Sequence, residues 1–149
     1  MVKSMPTIDR INQISITVSD LDRAVKFYSD VFHVAEWKIF TPEYAERTLK
    51  GKPGNFRIKV AVTQLENLEL ELVQLLEGEI VNGESIQTHG GGLHHVATFV
   101  TDIGECIMRM KKLGFEVVQS GKRPGAEFAY LQNTEERSII IEVLKRSAV

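Results

Sequence analysis

Polar and apolar residues follow the same order in two distant parts of the chain. Ile11 to Tyr28 reads INQISITVSDLDRAVKFY, and Leu93 to Met110 reads LHHVATFVTDIGECIMRM. At an offset of 82 positions, Ile14 falls on Val96, Ile16 on Thr98, Val18 on Val100, Ser19 on Thr101, Asp20 on Asp102, Leu21 on Ile103 and Val25 on Ile107. Polar positions match along with apolar ones, which indicates an internal duplication, and two copies mean a duplicated domain rather than a solenoid. Each copy opens with a period-2 strand: Ile14, Ile16 and Val18 share one face, as do Val96, Thr98 and Val100. Ser19 and Thr101 then read as helix N-caps, with Asp22 or Glu105 at or near the capping-box position. Leu21, Val25, Tyr28 and Phe32 keep helical spacing, as do Ile103, Ile107 and Met110, and Leu113–Gly114 ends the second helix.

Strand-rich sequence follows each helix. It covers Ala35–Phe40, Phe56–Gln64 and Leu68–Leu75 in the first half, and Glu116–Ser120, Glu127–Gln132 and Ser138–Leu144 in the second. Lys50–Asn55 and Lys122–Gly125 read as loops. Each half is thus β-α-β-β-β. The expectation is one α+β domain over residues 1–149, built of two βαβββ modules at about 8–77 and 91–146. Gly78–Gly92 joins them, with a short helix near Ser85–Thr88. Phe27, Tyr28, Phe32 and Trp37 are spaced like core. HGGGLHH leads into a strand, so it reads as a tight linker in which glycine tolerates positive φ, rather than as a phosphate loop.

Composition narrows the function. The 149 residues are 43% apolar and 26% charged, which excludes a disordered chain. A net charge of -2 offers no electrostatic reason to bind nucleic acid or an anionic membrane. The one cysteine, Cys106, cannot form an internal disulfide and reads as a small buried hydrophobe, which fits a reducing, cytoplasmic location. MVKSMPTIDR lacks the apolar stretch of a signal peptide, and no apolar run is long enough for a membrane helix.

Four chemistry-bearing residues occupy equivalent places in the two halves. Gln13 and His95 share one position of the opening strand; Glu71 and Glu142 lie on the closing strands, in LELEL and IIIEV. Each carboxylate is flanked by apolar residues, so strand alternation puts it on the opposite face. Glu66, Glu69 and Glu77 compete with Glu71 as solvated charges, and His94 competes with His95. The repeat selects one residue per stretch without reference to metal chemistry. Two carboxylates, an imidazole and an amide oxygen suit one divalent ion (Co, Ni, Zn, Mn or Mg), and the absence of cysteine disfavours a structural zinc cage. Four protein ligands on an octahedral ion leave two positions for water or two neighbouring substrate oxygens, where the ion can stabilise an enolate. Ligand atoms are expected about 2.0–2.3 Å from the ion.

At these residues the chain resembles the glyoxalase, or vicinal oxygen chelate, superfamily, over about Ile8 to Lys145. INQISITVSDLDRAVKFYSDVF, NLELELVQLL, GGGLHHVATFVTDI and SIIIEVL carry the resemblance. Within the superfamily, GLHHVATFV followed by a helix and LGFEVV is most similar to the methylmalonyl-CoA epimerases. The resemblance implies a cup-shaped mixed sheet around a metal and proton abstraction next to a carbonyl. Glu142 or Glu71 would be the catalytic base of an isomerase acting on a malonyl-type thioester. Gln13 departs from the epimerase pattern, which usually has His there. The set Gln, Glu, His, Glu is similar to that of a glyoxalase I, which implies an alternative: a lactoylglutathione lyase acting on a hemithioacetal with Glu142 as base. The strand FRIKVAV carries Arg57 and Lys59 where some epimerases have a second acid. Extradiol dioxygenases use two His and one Glu, and Gln13 argues against them. A third alternative is a non-enzymatic binder that sequesters a small molecule such as an antibiotic, although such a binder has no need of four ligand-type residues. The expected partners are a small-molecule substrate, an acyl-CoA thioester on the first reading, and a second copy in a homodimer. Lys111–Lys112 and Lys122–Arg123 are candidates for the coenzyme A phosphates, each pair also suiting a solvated face.

Overall fold

A computed structural model describes residues 8–81, 83 and 90–147. The helix expected near Ser85–Thr88 lies outside the described residues. The elements in chain order are β1 (Gln13–Val18), α1 (Leu21–Phe32), β2 (Lys38–Phe40), β3 (Glu46–Leu49), β4 (Lys52–Pro53), β5 (Arg57–Gln64), β6 (Glu69–Glu77), β7 (Gly91–Phe99), α2 (Ile103–Lys112), β8 (Phe115–Arg123), β9 (Ala126–Asn133) and β10 (Ile140–Arg146).

Both helices start one residue later than the sequence suggested. Asp20 and Asp102, not Ser19 and Thr101, are the N-caps; their carboxylates accept from the backbone N–H groups of Arg23 and Glu105 at 3.1 and 3.0 Å. An aspartate caps as well as a hydroxyl does and adds a negative charge at the positive end of the helix dipole. Gly114, at φ 88°, follows the second helix as expected, whereas the first ends on His33 at φ 53°.

The described strands form one mixed sheet in the order β2-β5-β6-β1-β7-β10-β9-β8-β3-β4. The repeat is visible in this order: β1 runs parallel to β6, β7 parallel to β10, and β1 meets β7 antiparallel at the centre. Ile14 faces Val96, its own equivalent, so the pairing is symmetric about that point, with Gln13 facing Ala97 and Ser15 facing His95. The outer partners obey the same rule: Ser15 faces Glu71, and Ala97 faces Glu142. One irregularity breaks the symmetry. Ile16 pairs with Leu93 although Ser15 pairs with His95, which leaves His94 as the extra residue of a β-bulge.

The expected loop Lys50–Asn55 is in part a hairpin. Lys50 and Gly51, both at positive φ, turn β3 into β4, and β3 leaves its own half to pair with β8. The curvature of the sheet brings its distant parts together: the Arg123 guanidinium of β8 stacks 5.6 Å over the Phe40 ring of β2. The result is a cup. On its convex side, α1 packs Leu21 against Val18, Ala61 and Leu72, while α2 contributes Cys106 and Met110 to a cluster with Ala129, Leu131 and Val143. Fully buried leucines such as Leu72 and Leu131 each contribute about 2 kcal/mol of transfer free energy. The concave side holds Phe56, Ile58, Val60, Val73, Phe128 and Tyr130. Tyr28 and Trp37 pack as expected against the α1 cluster, but Phe27 and Phe32 are 57% and 45% exposed and lie outside the core. No described helix is long and apolar enough to cross a membrane.

Entry into β7 depends on glycine. Gly91 sits at φ 128°, and a Cβ there would stand 2.2 Å from the Thr17 carbonyl oxygen. Gly125, at φ 82° in the β8–β9 turn, has nothing within 4 Å of such a Cβ. Gly91→Ala is therefore expected to destabilise the fold by about 2–4 kcal/mol, combining overpacking with backbone strain. Gly125→Ala is expected to cost about 1–2 kcal/mol from strain alone. Urea unfolding of both variants checks the order, and equal losses would refute the steric argument.

Candidate metal centre

Alternation puts Gln13, Ser15 and Thr17 on one face of β1 and Ile14 and Ile16 on the other. The fold buries the polar face: Gln13 and Ser15 are both 0% exposed. His95 at 1% and Glu142 at 5% share the same concave surface. Polar groups taken this far from water are costly unless something satisfies them.

Two strands, β1 and β7, separate β6 from β10, yet the curvature brings side chains of the outer pair together over the inner pair. His95 Nε2 lies 2.7 Å from Glu142 Oε2 and 3.7 Å from Glu71 Oε1. Ser15 Oγ donates to Glu71 Oε1 at 2.8 Å. Gln13 Nε2 donates to Glu69 Oε1 at 2.7 Å, and Arg146 grips the same carboxylate with two nitrogens at 2.7 and 2.9 Å. An ionised carboxylate only accepts, so the Gln13 nitrogen must face Glu69 and its carbonyl oxygen is left for another partner.

Three buried polar side-chain atoms find no hydrogen-bond partner among the described residues: Gln13 Oε1, His95 Nε2 and Glu142 Oε2. The short Nε2–Oε2 approach lacks hydrogen-bond geometry. Each orphan costs about 1–3 kcal/mol. All three belong to the four residues singled out by the repeat. Two oxygens and one nitrogen, with Glu71 adjacent, form a donor set suited to a divalent ion, and the residues fit one. His95 stands between Glu142 and Glu71, at 2.7 and 3.7 Å, and Gln13 projects from the same face. They do not form a finished cage: among the described residues no three His, Cys, Asp or Glu side chains already hold coordinating geometry.

The electrostatics agree with a cation site. Burial pushes Glu142 up to about 8. Burial and then the Glu142 charge push Glu71 up to about 7. Burial pulls His95 down to about 4, so its contact with Glu142 joins a neutral imidazole to a carboxyl group and is no ion pair. His94 is also pulled down to about 4, by burial and then by His95. Burial works against ionised Glu69, but Arg146 and Gln13 outweigh it and hold that carboxyl below its ordinary range.

Sequence reading missed three parts of this arrangement. Ser15 and Glu69 lie two residues from Gln13 and Glu71, and Arg146 lies four from Glu142; the period of the strand alone puts each on the site face. Glu69, read as a rival to Glu71, works alongside it. Of the lysine and arginine pairs, Lys111–Lys112 line a hollow of about 470 Å³ with Gly104, Ile107 and Met108, on the helix covering the convex side and away from the cup. Arg123 lies beside Phe40 at the rim.

The pH dependence follows from these shifts. From the ordinary carboxylate value of 4.5 up to about 7 and 8, folded Glu71 and Glu142 hold protons that the unfolded chain has lost, so their contribution falls as pH rises. Between about 4 and 6.5 the unfolded chain protonates His94 and His95 more than the folded one, so their contribution rises with pH. The two trends oppose each other up to 6.5, and above it only the carboxylates act. Metal-free protein is expected to lose about 1–3 kcal/mol between pH 6.5 and 8, and a bound divalent ion to remove that loss. Urea titrations with chelator and with Co²⁺ read this directly; equal stability at both pH values without metal would count against the buried pair. Glu69→Leu, which offers no acceptor to the Gln13 amide, is expected to weaken Co²⁺ binding about 10–100-fold, and calorimetric titration showing unchanged affinity would remove Glu69 from the site.

The profile of the Glyoxalase/Bleomycin resistance protein/Dioxygenase superfamily matches residues 12–130. The chain is 26% identical over 121 residues to the mitochondrial methylmalonyl-CoA epimerase of Mus musculus, covering 80% of this chain and 61% of that protein. It spans, then, about three fifths of that relative's length. It is 28% identical over 116 residues to the ethylmalonyl-CoA/methylmalonyl-CoA epimerase of Cereibacter sphaeroides, covering 77% of this chain and 78% of that one. The crystal structure of methylmalonyl-CoA epimerase from Mycobacterium tuberculosis superposes with a TM-score of 0.67 at 15% identity, covering 99% and 94% of the two chains, which speaks to fold alone. With the paired modules, the curled sheet of ten described strands and a family match over most of its length, the chain belongs to the glyoxalase/bleomycin resistance protein/dioxygenase superfamily.

Proposed function

We propose that this protein is a divalent-metal-dependent epimerase that removes and returns the proton next to the carbonyl of a 2-substituted malonyl-type thioester. The observation that carries the reading is the cluster of buried His95 and Glu142 with partly buried Glu71, its orphaned Nε2 and Oε2 atoms and the unpartnered Gln13 oxygen. The similarity to epimerases supplies the substrate class.

Gln13, Glu71, His95 and Glu142 would hold the ion. Bound there, it supplies a Lewis acid beside the substrate carbonyl. The remaining tasks belong to the chain. Glu71 is anchored through Ser15. The residue equivalent to Ser15 is Ala97, which has no hydroxyl, so Glu142 has no such anchor and is freer to move a proton. Its pKa of about 8 suits a group that must both take and return a proton near neutrality. The apolar wall of Phe128, Tyr130, Ile140 and Leu144 keeps water from the carbon that loses the proton.

The cup is nearly full. A cavity of only about 10 Å³ lies among Thr17, Ile58, Val73, Ile80, His94, Gln119 and Tyr130, room for about one water. Lys38 and Arg123 both lie over Phe40 at the rim, within reach of a phosphorylated tail lying across it. A sequestering binder would be better served by an open apolar cup without ionisable groups at its base. The lyase alternative draws on Gln13 as a ligand, and the relatives reported above carry the epimerase name instead.

Glu142→Gln is expected to lower proton exchange at the carbon between the two carbonyls of methylmalonyl-CoA by at least about 10²–10⁴-fold. It is also expected to lower the divalent metal content, because an amide is a poorer ligand than a carboxylate. Deuterium uptake from D₂O by mass spectrometry and elemental analysis of the purified protein measure the two effects. A hemithioacetal substrate run in parallel tests the lyase. Full exchange and full metal content in Glu142→Gln would overturn the assignment.

A further inference from the structure

We infer that His94 is a positioning residue that sets the tautomer of His95, leaving His95 Nε2 as a lone-pair donor to the cation site. The inference rests on the reading of Gln13, Glu71, His95 and Glu142 as metal ligands.

In a regular strand His94 and His95 would point to opposite faces. The bulge opposite Ser15 and Ile16 changes that. His94 turns into the cup, where it lines the small cavity with Thr17, Ile58, Val73 and Tyr130. Its ring stands edge-on to His95, with centroids 5.1 Å apart.

The hydrogen bonds then fix every proton in turn. His94 Nε2 lies 2.8 Å from the Val81 carbonyl oxygen. A carbonyl only accepts, so His94 Nε2 carries hydrogen and donates. In the neutral ring His94 Nδ1 then holds the lone pair. His94 Nδ1 lies 2.8 Å from His95 Nδ1, so His95 Nδ1 must be the donor. His95 Nε2 is left without hydrogen and faces Glu142 and Glu71. The backbone of the segment before β7 is thereby read out, through two imidazoles, as the ligand form of His95.

The alternative tautomer explains why such a device is needed. With hydrogen on Nε2, His95 would turn a donor rather than a lone pair toward Glu71 and Glu142 and could not ligate a cation there. By holding the hydrogen on Nδ1, His94 keeps the Nε2 lone pair available.

Long-range ¹H–¹⁵N correlation spectra of the metal-free wild-type protein test the tautomer without any variant. The expected result is Nε2–H on His94 and Nδ1–H on His95; Nε2–H on His95 would overturn the inference. Calorimetric titration with Co²⁺ tests the consequence. His94→Phe keeps the ring shape, lacks the acceptor, and is expected to weaken binding about 10–100-fold. His94→Asn places an amide oxygen near the position of Nδ1 and is expected to recover most of the loss. Equal affinity of wild type and His94→Phe would overturn the role of His94. Should His94→Phe not fold, His94→Asn and the wild-type spectra decide. Should the wild type bind no Co²⁺, the metal reading fails, while the tautomer measurement judges the His94–His95 relay on its own.

Discussion

Glu142 lies buried, and Glu71 partly buried, beside a neutral imidazole at the base of an apolar cup. Two carboxylates so placed cannot both ionise without a nearby positive charge, and both are pushed towards their protonated forms. Much of the surrounding arrangement follows from this constraint. Ser15 bonds to one carboxylate, His95 faces the other, and Arg146 lies close enough to lower Glu142 while its own charge is taken up by Glu69. Replacing a shared proton with a divalent cation would satisfy the same groups, which is why a metal and proton transfer near neutrality belong to one physical argument.

The two halves supply like parts and use them differently. Gln13 and His95 are equivalent, but a Glu69–Arg146 clamp orients the first and a neighbouring histidine the second. The clamp has no counterpart in the second half, where Ile140 stands at the position equivalent to Glu69. The anchor of Glu71 is missing at Glu142 because Ala97 replaces Ser15. A symmetric site could hold an ion, but it would have no means of distinguishing a fixed ligand from a mobile base. In the proposed epimerase, those differences of side chain between the halves would create the distinction.

The exposed Phe27 and Phe32 show how helical spacing can mislead. Both keep a plausible apolar period, yet α1 rests on the sheet through Leu21, Ala24, Val25 and Tyr28, and the flanking aromatics turn away. The glycines and proline of Lys50–Asn55 read as a loop, yet that segment holds the turn and second strand of the β3–β4 hairpin. Its order comes from a partner in the other half, β8, rather than from its own apolar pattern.

The alternation of polar and apolar residues, together with the repeat, determined the paired β-α-β-β-β order and the equivalence of Gln13 with His95 and of Glu71 with Glu142. These follow from local periodicity and self-similarity, which need no knowledge of what packs where. The antiparallel pairing of the two opening strands came from the tertiary structure. Curvature brought Glu71 and Glu142 of separated strands to one imidazole, and only the tertiary structure could decide that. It also decided that the polar face of β1 would be the buried one. The bulge at His94 is the sharpest case. Strand alternation sends that side chain out of the cup, and one unpaired residue, created by register with a strand about eighty positions away, turns it in. A side chain's direction at such a point is set by the partner strand, and the partner exists only once the chain has folded.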